Sequence, residues 1–537
     1  MNRKQTIEAL QQKQTFDLLV VGAGATGCGI ALDAAARGLK VALVDKMDLA
    51  EGTSSRSTKL VHGGVRYLEK AVKGLNKAQY DLVKEGLHER GVLLKNAPHL
   101  SNRISFVTPL YKWRDVPLVF AGLKFYDLLA GKMRLGSSRL LSRKETLKRS
   151  PMVKTEGLKA GILYYDGQFN DARMAVALAR TAEQRGATVA NHVEVTDLFK
   201  EAGKVQGAVV RDCLTGKEWT IRATGVINAT GPFGDRLRQM DNPTAKPVIT
   251  TSSGIHLVLD KRFSPPENGL MIPKTEDGRV LFILPWQGHA LIGTTDDPAE
   301  ITEHPPATDK EIDYLLRHVG KYFNLQPTRD DIKATWSGLR PLVANPAAAN
   351  TSNLVRDHVI SMSESGLLTI VGGKWTSYRR MAEDTVNQAV AGWNLEPKSP
   401  CETNQIAVIG GNNYKPDGDK QLAAKYQLEK DISYNLNRAY GDQAEQVVEL
   451  SKKGLAVRLH PQHPFIEAEV LYATRYEFAI HAIDVLARRL PLALIDKAAA
   501  MQSLPRVIEI MANELGWSKQ QRSSELELAT KRLLVAL

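Results

Sequence analysis

His62, Gly63, Gly64, Arg66 and Tyr67 stand together in the stretch KLVHGGVRYL, residues 59–68. An imidazole, two glycines, a guanidinium and a phenol at that spacing can move a proton, bring backbone close to a flat ligand and hold an anion. Further cations follow far along the chain: Arg340 in GLRPL, Arg356 in LVRDH and Lys374 in GGKWT. None lies in a run of charges. Each follows a turn or ends an apolar strand, where a solvated basic residue has no particular reason to be. His256, in SSGIHLVLD, sits in an alternating strand pattern. A histidine titrating near neutrality suits the acceptance of a proton from a reacting hydroxyl. The plain alternatives are surface salt bridges for the basic residues, a core-edge imidazole for His256 and simple packing for Tyr67.

These residues need elements to position them. FDLLVVGAGATGCGIALDAAARGLKVALVDK reads as strand, tight turn, helix and strand, with Gly22-x-Gly24-x-x-Gly27 in the turn and Asp45 closing the second strand. The first glycine permits the turn, the second admits a pyrophosphate to the backbone, and the third packs helix on strand. The diphosphate then meets the positive end of the helix. Asp45 is spaced to accept from a ribose 2′-hydroxyl, which speaks against a 2′-phosphate but does not separate FAD from NAD. Cys28, inside the loop, reads as a small buried filler.

Two later segments separate them. GVINATGP, residues 225–232, is a short buried strand ending in Ala229-Thr230-Gly231, preceded by a hairpin. The chain therefore leaves the nucleotide fold near Asp48 and returns near residue 225, instead of continuing in regular βα units. LLTIVGGKWTSYRRMAEDTV, residues 367–386, is a strand, a Gly372-Gly373 turn and a helix beginning near Thr376 or Ser377. That late helix start can aim its positive end at the pyrimidine edge of a flavin. The interleaving resembles flavoproteins of the amino-acid and hydroxy-acid oxidase type.

The chain has 537 residues, 43% hydrophobic and 24% charged, with a formal net charge of +12. Its length allows two to four domains at ~100–200 residues each. The excess of positive charge favours anionic partners, and much of it is local: residues 101–150 hold eleven Lys or Arg against Asp115, Asp127 and Glu145. The same segment carries Trp113, Phe120, Phe125 and Tyr126, and cations mixed with aromatic and aliphatic groups make up an interfacial membrane anchor. An ordinary helix with a solvated basic face is the alternative. No nucleic-acid-binding module is recognisable. Three cysteines form no disulfide framework, which suggests a reducing compartment. No apolar run approaches the ~20 residues of a spanning helix. Metal-ligand spacings are missing, and PDGDKQLAAKYQLE, residues 416–429, starts like a calcium loop but lacks its later acidic ligands.

TSSRSTKLVHGGVRYLE, NATGP, LPWQGHALIGTTD, WSGLRPL and GGKWTSYR, in this order, resemble the FAD-dependent glycerol-3-phosphate dehydrogenases. The resemblance runs from about residue 16 to the end, and TSSxSxKLxHGGxRYLE is close to a signature. It implies oxidation of sn-glycerol 3-phosphate to dihydroxyacetone phosphate, hydride transfer to FAD, and electrons handed to a membrane quinone. Cofactor contacts are then expected from Gly22, Gly24, Gly27, Asp45, Ser54, Ser55, Lys59, His62, Gly63, Thr230, Gly231, Gly373 and Thr376. Arg66, Tyr67, Arg340, Arg356 and Lys374 are expected at the substrate, where arginine's planar fork matches phosphate oxygens. His256 matches the family position for the proton acceptor, with Arg340 and Lys374 as its catalytic neighbours and His62 as the fallback base.

The expected fold is α/β (α+β): a Rossmann-like FAD-binding domain in three pieces (1–90, 171–235, 361–395), a basic segment (91–170), an antiparallel-sheet substrate domain (236–360) and a helical cap (400–537). No calcium-binding hands or transit peptide are recognisable, so a bacterial protein is expected, on the inner face of the inner membrane against its anionic surface. A homodimer is the expected assembly. The rivals are an oxygen-reducing α-glycerophosphate oxidase, a flavin amine or amino-acid oxidase, and a non-enzymatic FAD-binding protein.

Overall fold

Leu18–Val21 is the apolar centre of the strand Thr15–Val21, and its side chains alternate between two cores. Leu18 and Val20 pack among Ala31, Leu178 and Val386, while Leu19 and Val21 pack with Leu10, Val210 and Leu237. Burial on both faces is the condition of a parallel sheet covered on each side. The computed structural model describes residues 3–64, 77–273, 275–276, 278–343, 358–452 and 454–535.

Around that strand the first sheet runs, edge to edge, His358–Met362, Leu367–Gly372, Glu218–Asn228, Thr15–Val21, Val41–Val44 and Thr188–Ala190. The four inner pairings are parallel, and the His358–Met362 edge is antiparallel. The hairpin expected before residue 225 is present as Lys204–Asp212 paired with Glu218–Asn228. One reading changes: the chain rejoins the nucleotide sheet at Thr188–Ala190, well before residue 225. Three residues are too short to show a strand period.

The second sheet runs Asp297–Pro298, Ile249–Leu259, His289–Gly293, Leu281–Trp286, Asn268–Ile272, Ser101–Leu110, Ala160–Phe169 and Leu60–Val61, with Ile332–Val343 laid along Ile249–Leu259. It draws strands from both the basic segment and residues 249–343. One face packs on the helix Asp309–Tyr322 through Leu257, Ile283 and Leu315. Val258, Trp286 and Trp336 pack instead against the C-terminal helices through Phe465, Val485 and Leu504. From residue 400 onward the described residues form helices and turns, ending in Lys497–Leu515 and Lys519–Val535. No helix among the described residues is long and apolar enough to cross a membrane.

Candidate active site

The two sheets enclose one large cavity of about 1210 Å³. Its nucleotide end is the glycine-rich turn. Gly22 has φ +105°, and a Cβ there would lie 2.6 Å from the carbonyl oxygen of Ala229. At Gly27 a Cβ would lie 1.7 Å from the oxygen of Gly22, so only glycine lets the helix Ala25–Ala36 sit this close to the strand. The helix has no side-chain N-cap, leaving its positive end to the cavity. Asp45 closes the turn: its carboxylate accepts from Ala23 N at 2.6 Å and Met47 N at 2.8 Å. Burial pushes its pKa up to about 6, against the pull of those two amides. The crowded glycines, the open helix end and the buried carboxylate fit the diphosphate and ribose of FAD.

Two parts of the expected flavin site, far apart in sequence, are stitched together. Thr376 Oγ1 accepts from His62 N at 3.2 Å and lies 3.2 Å from His62 O, and Trp375 Nε1 donates to Ser54 O at 2.8 Å. Ser54 Oγ accepts from Ala25 N at 2.9 Å, joining this patch to the nucleotide helix. Gly63 N donates to the Tyr126 hydroxyl at 2.8 Å, and that hydroxyl donates to Asp166 at 3.0 Å. Asp166 is also paired with Arg90 at 2.7 Å; burial raises its pKa to about 6 in spite of that arginine. Gly22, Gly24, Asp45, Ser54, His62, Thr230, Gly231, Gly373 and Thr376 all line the cavity. Gly27, Ser55, Lys59 and Gly63 do not. Lys59 is buried instead in an ion pair with Asp171 at 2.6 Å, with its Nζ over the rings of Trp286 and Trp336. It holds the loop from behind.

At the other end, Gly254 and His256 stand two apart on the strand Ile249–Leu259, hence on one face and about 7 Å apart. The guanidinium of Arg340 occupies the space over Gly254, where a Cβ would meet its Nη2 at 2.1 Å. Thr294 Oγ1, the carbonyls of Ser253 and Thr295, and Asp296 at 3.2 Å fix its fork. The imidazole of His256, only 2% exposed, stacks on Trp336 with centroids 5.2 Å apart. It fits because the facing residue is Gly293, where a Cβ would lie 2.2 Å from its Cδ2. Thr58 Oγ1 is 2.9 Å from its Nε2, and the His256 Nδ1 has no hydrogen-bond partner among the described residues. Burial, reinforced by Lys59 and Arg340, holds its pKa well below the usual histidine range, so the ring is neutral.

Lys374 lines the same cavity at the start of the late turn Trp375–Ser377. The structure thus brings His256, Arg340 and Lys374 into one chamber with the nucleotide turn. Arg66, Tyr67 and Arg356 lie outside the described residues. Residue-by-residue reading missed Thr58, Thr294 and Asp296, although all three stand inside or next to the quoted motifs. It also missed Trp375, whose indole ties the two flavin segments, and Phe282, whose ring is 6.5 Å from that of His62.

Residues 17–379 match the family model described as FAD dependent oxidoreductase, and residues 401–522 match the C-terminal domain of alpha-glycerophosphate oxidase. The mitochondrial glycerol-3-phosphate dehydrogenase of Rattus norvegicus is 46% identical over 546 residues, covering 99% of this chain and 75% of the relative. The Homo sapiens enzyme of the same name is 45% identical with the same coverage. Among solved structures, the glycerol-3-phosphate dehydrogenase of Bacillus halodurans complexed with FAD superposes with a TM-score of 0.81 at 30% identity, covering 99% of this chain and 97% of that one. The L-alpha-glycerophosphate oxidase of Mycoplasma pneumoniae, at 19% identity and a TM-score of 0.56, covers 73% of this chain and 98% of that one and shares the fold. By these matches over nearly its whole length, on a cavity already shaped for a flavin dinucleotide, the chain belongs to the FAD-dependent glycerol-3-phosphate dehydrogenase family.

Proposed function

We propose that this protein oxidises sn-glycerol 3-phosphate to dihydroxyacetone phosphate and delivers the electrons to a quinone in the membrane. The reading is carried by the placement of Arg340 over Gly254, one side-chain row from the neutral imidazole of His256, inside the cavity that holds the nucleotide turn. A phosphate held by Lys374 and drawn by the charge of Arg340, whose Nη donors are turned to Ser253, Thr294, Thr295 and Asp296 in this structure, sets the C2 carbinol of a three-carbon ester near that imidazole. His256 takes the hydroxyl proton; burial keeps it unprotonated beforehand but makes it a weaker base than the near-neutral histidine expected from the sequence, so the proton has to pass in step with loss of the C2 hydride. Trp336 beneath the ring and Thr58 at Nε2 hold its orientation. Burial of the site excludes water and strengthens the cations' hold on the phosphate. When bound, FAD supplies the two-electron hydride acceptance that no side chain can offer.

The quinone acceptor is supported by the mouth of the cavity. The helix Asp115–Ala130 lines it through Leu118, Val119, Gly122 and Leu123. The same helix and its approach turn apolar groups to solvent: Trp113 is 64% exposed, Leu118 60% and Leu128 72%. Lys112, Arg114, Lys124 and Lys132 surround them, as expected for a protein resting on anionic lipid without crossing it.

Anaerobic addition of glycerol 3-phosphate to the holoenzyme should bleach the flavin absorbance, and glycerol should not. Equal bleaching by glycerol would overturn the substrate. The C-terminal match to an oxidase domain keeps oxygen in view as the acceptor. Turnover with a quinone analogue and little peroxide supports the dehydrogenase; peroxide in step with substrate consumed supports the oxidase.

A further inference from the structure

The C-terminal helices reach the nucleotide end of the cavity through a charge network that the proposed reaction does not use. Asp48, three residues beyond the ribose carboxylate Asp45, is fully buried. Its oxygens accept from Arg488 Nε at 2.6 Å, from Arg489 Nη1 at 2.5 Å and from Arg489 Nη2 at 2.7 Å. Asn191 Nδ2 adds a fourth bond at 3.0 Å and ties the group to the carbonyl of Phe478. Three residues on, Glu51 accepts from Arg532 Nη1 at 2.9 Å and faces Arg488 at 3.3 Å. Burial alone would raise the Glu51 pKa, but Arg488 and Arg532 bring it down to about 2. All three arginines belong to the C-terminal helical region.

The loop so held is a wall of the cofactor site. Lys46, Met47, Ala50, Glu51 and Gly52 line the cavity, and Ala50 N donates to Ala23 O at 3.0 Å inside the glycine-rich turn. Asp48, His192 and Asp484 lie close enough to suggest a cation site. Arg488 and Arg489 already occupy Asp48, however, and Arg488 also holds Asp484 at 2.6 Å. A dication there would face two fixed guanidiniums. Ion pairing, rather than metal ligation, accounts for the cluster.

We propose that Arg488, Arg489 and Arg532 are positioning residues for the cofactor: the C-terminal helices clamp the 46–52 loop against the nucleotide half of FAD, and the Arg532–Glu51 pair governs how readily the cofactor leaves. A buried carboxylate stripped of its cation is strongly disfavoured, so a closed loop with both pairs made is the stable state, and releasing the dinucleotide requires breaking them. The inference rests on the FAD assignment but not on the substrate.

The test uses the purified holoenzyme. FAD release after dilution is followed by the rise in free-flavin fluorescence for Arg532→Met, which keeps the aliphatic stem, and for Arg532→Lys, which keeps the charge. Release from the Met variant should be about tenfold faster, as expected for loss of a charged hydrogen bond. The Lys variant, which can still make the single charged bond to Glu51, should stay within about twofold of the parent, and the KM for glycerol 3-phosphate of fully loaded enzyme should not change. If circular dichroism shows the Met variant to be misfolded, Arg532→Gln takes its place with the same expectation. Parental release rates in the neutral variants, or release from the Lys variant as fast as theirs, would overturn the clamp.

Discussion

The Thr58 hydroxyl lies 2.9 Å from Nε2 of His256, and it is the one polar group that a hydrogen bond joins to this imidazole among the described residues. Removing it leaves a neutral, buried ring with neither nitrogen directed. Thr58→Val should lower kcat by roughly tenfold while FAD content stays at that of the parent. Thr58→Ser should recover most of the loss. Steady-state kinetics with flavin quantitation checks both.

Gly293→Ala tests the same ring by crowding. A methyl 2.2 Å from Cδ2 must displace the imidazole or the strand, at a cost of about 1–3 kcal/mol. Turnover should fall much further than thermal stability. Substrate-driven bleaching of the flavin, measured in a stopped-flow instrument, reports the loss directly.

Arg340→Ala removes a fork already oriented by Asp296 and Thr294. Loss of a charged contact to phosphate should reduce kcat/KM for glycerol 3-phosphate by at least about a hundredfold. The flavin spectrum should remain that of the parent, because the guanidinium rests on the substrate strand and not on the nucleotide turn.

His481 gives a pH dependence with a definite sign. Burial lowers its pKa, but the bond to Glu525 Oε2 at 2.8 Å, with the charges of Asp484 and Glu525, raises it overall to about 9. The stabilisation is complete below the ordinary histidine value near 6.5 and is lost as the pH rises through about 9. The thermal midpoint of His481→Phe should therefore lie below that of the parent at pH 7, and the gap should close above pH 9. A gap that widens with pH would contradict this linkage.

Trp113→Asp combined with Leu128→Asp places two charges on the exposed side of the helix Asp115–Ala130 and its approach. Co-sedimentation with anionic vesicles should fall several-fold, with activity toward a soluble dye acceptor nearly unchanged. Vesicle binding at the parental level would remove the lipid-facing role of this helix.

The nucleotide half of the fold was legible because each glycine of the turn carries a separate steric demand and Asp45 sits at a fixed distance from them. The late helix after Gly373 was equally plain, since its strand, turn and polar start are contiguous. The Thr188–Ala190 strand was not, being too short to have a period. Lys59 shows another limit: it stands in the motif, and its charge is spoken for by Asp171, a partner 112 residues away that spacing does not reveal. The clamp on Asp48 was invisible for the same cause, because the partners of Arg488 and Arg489 lie about 440 positions away and come into reach only when the C-terminal region is folded back onto the loop.

The bonds joining Ser54 to Trp375 and His62 to Thr376 have a consequence for biosynthesis. A ribosome that has made the entire glycine-rich turn has still made only part of a receptor for the isoalloxazine. Until Trp375 and Thr376 emerge, that side of the chamber has no back wall, so capture of the isoalloxazine must wait until well over half of the polypeptide has been made.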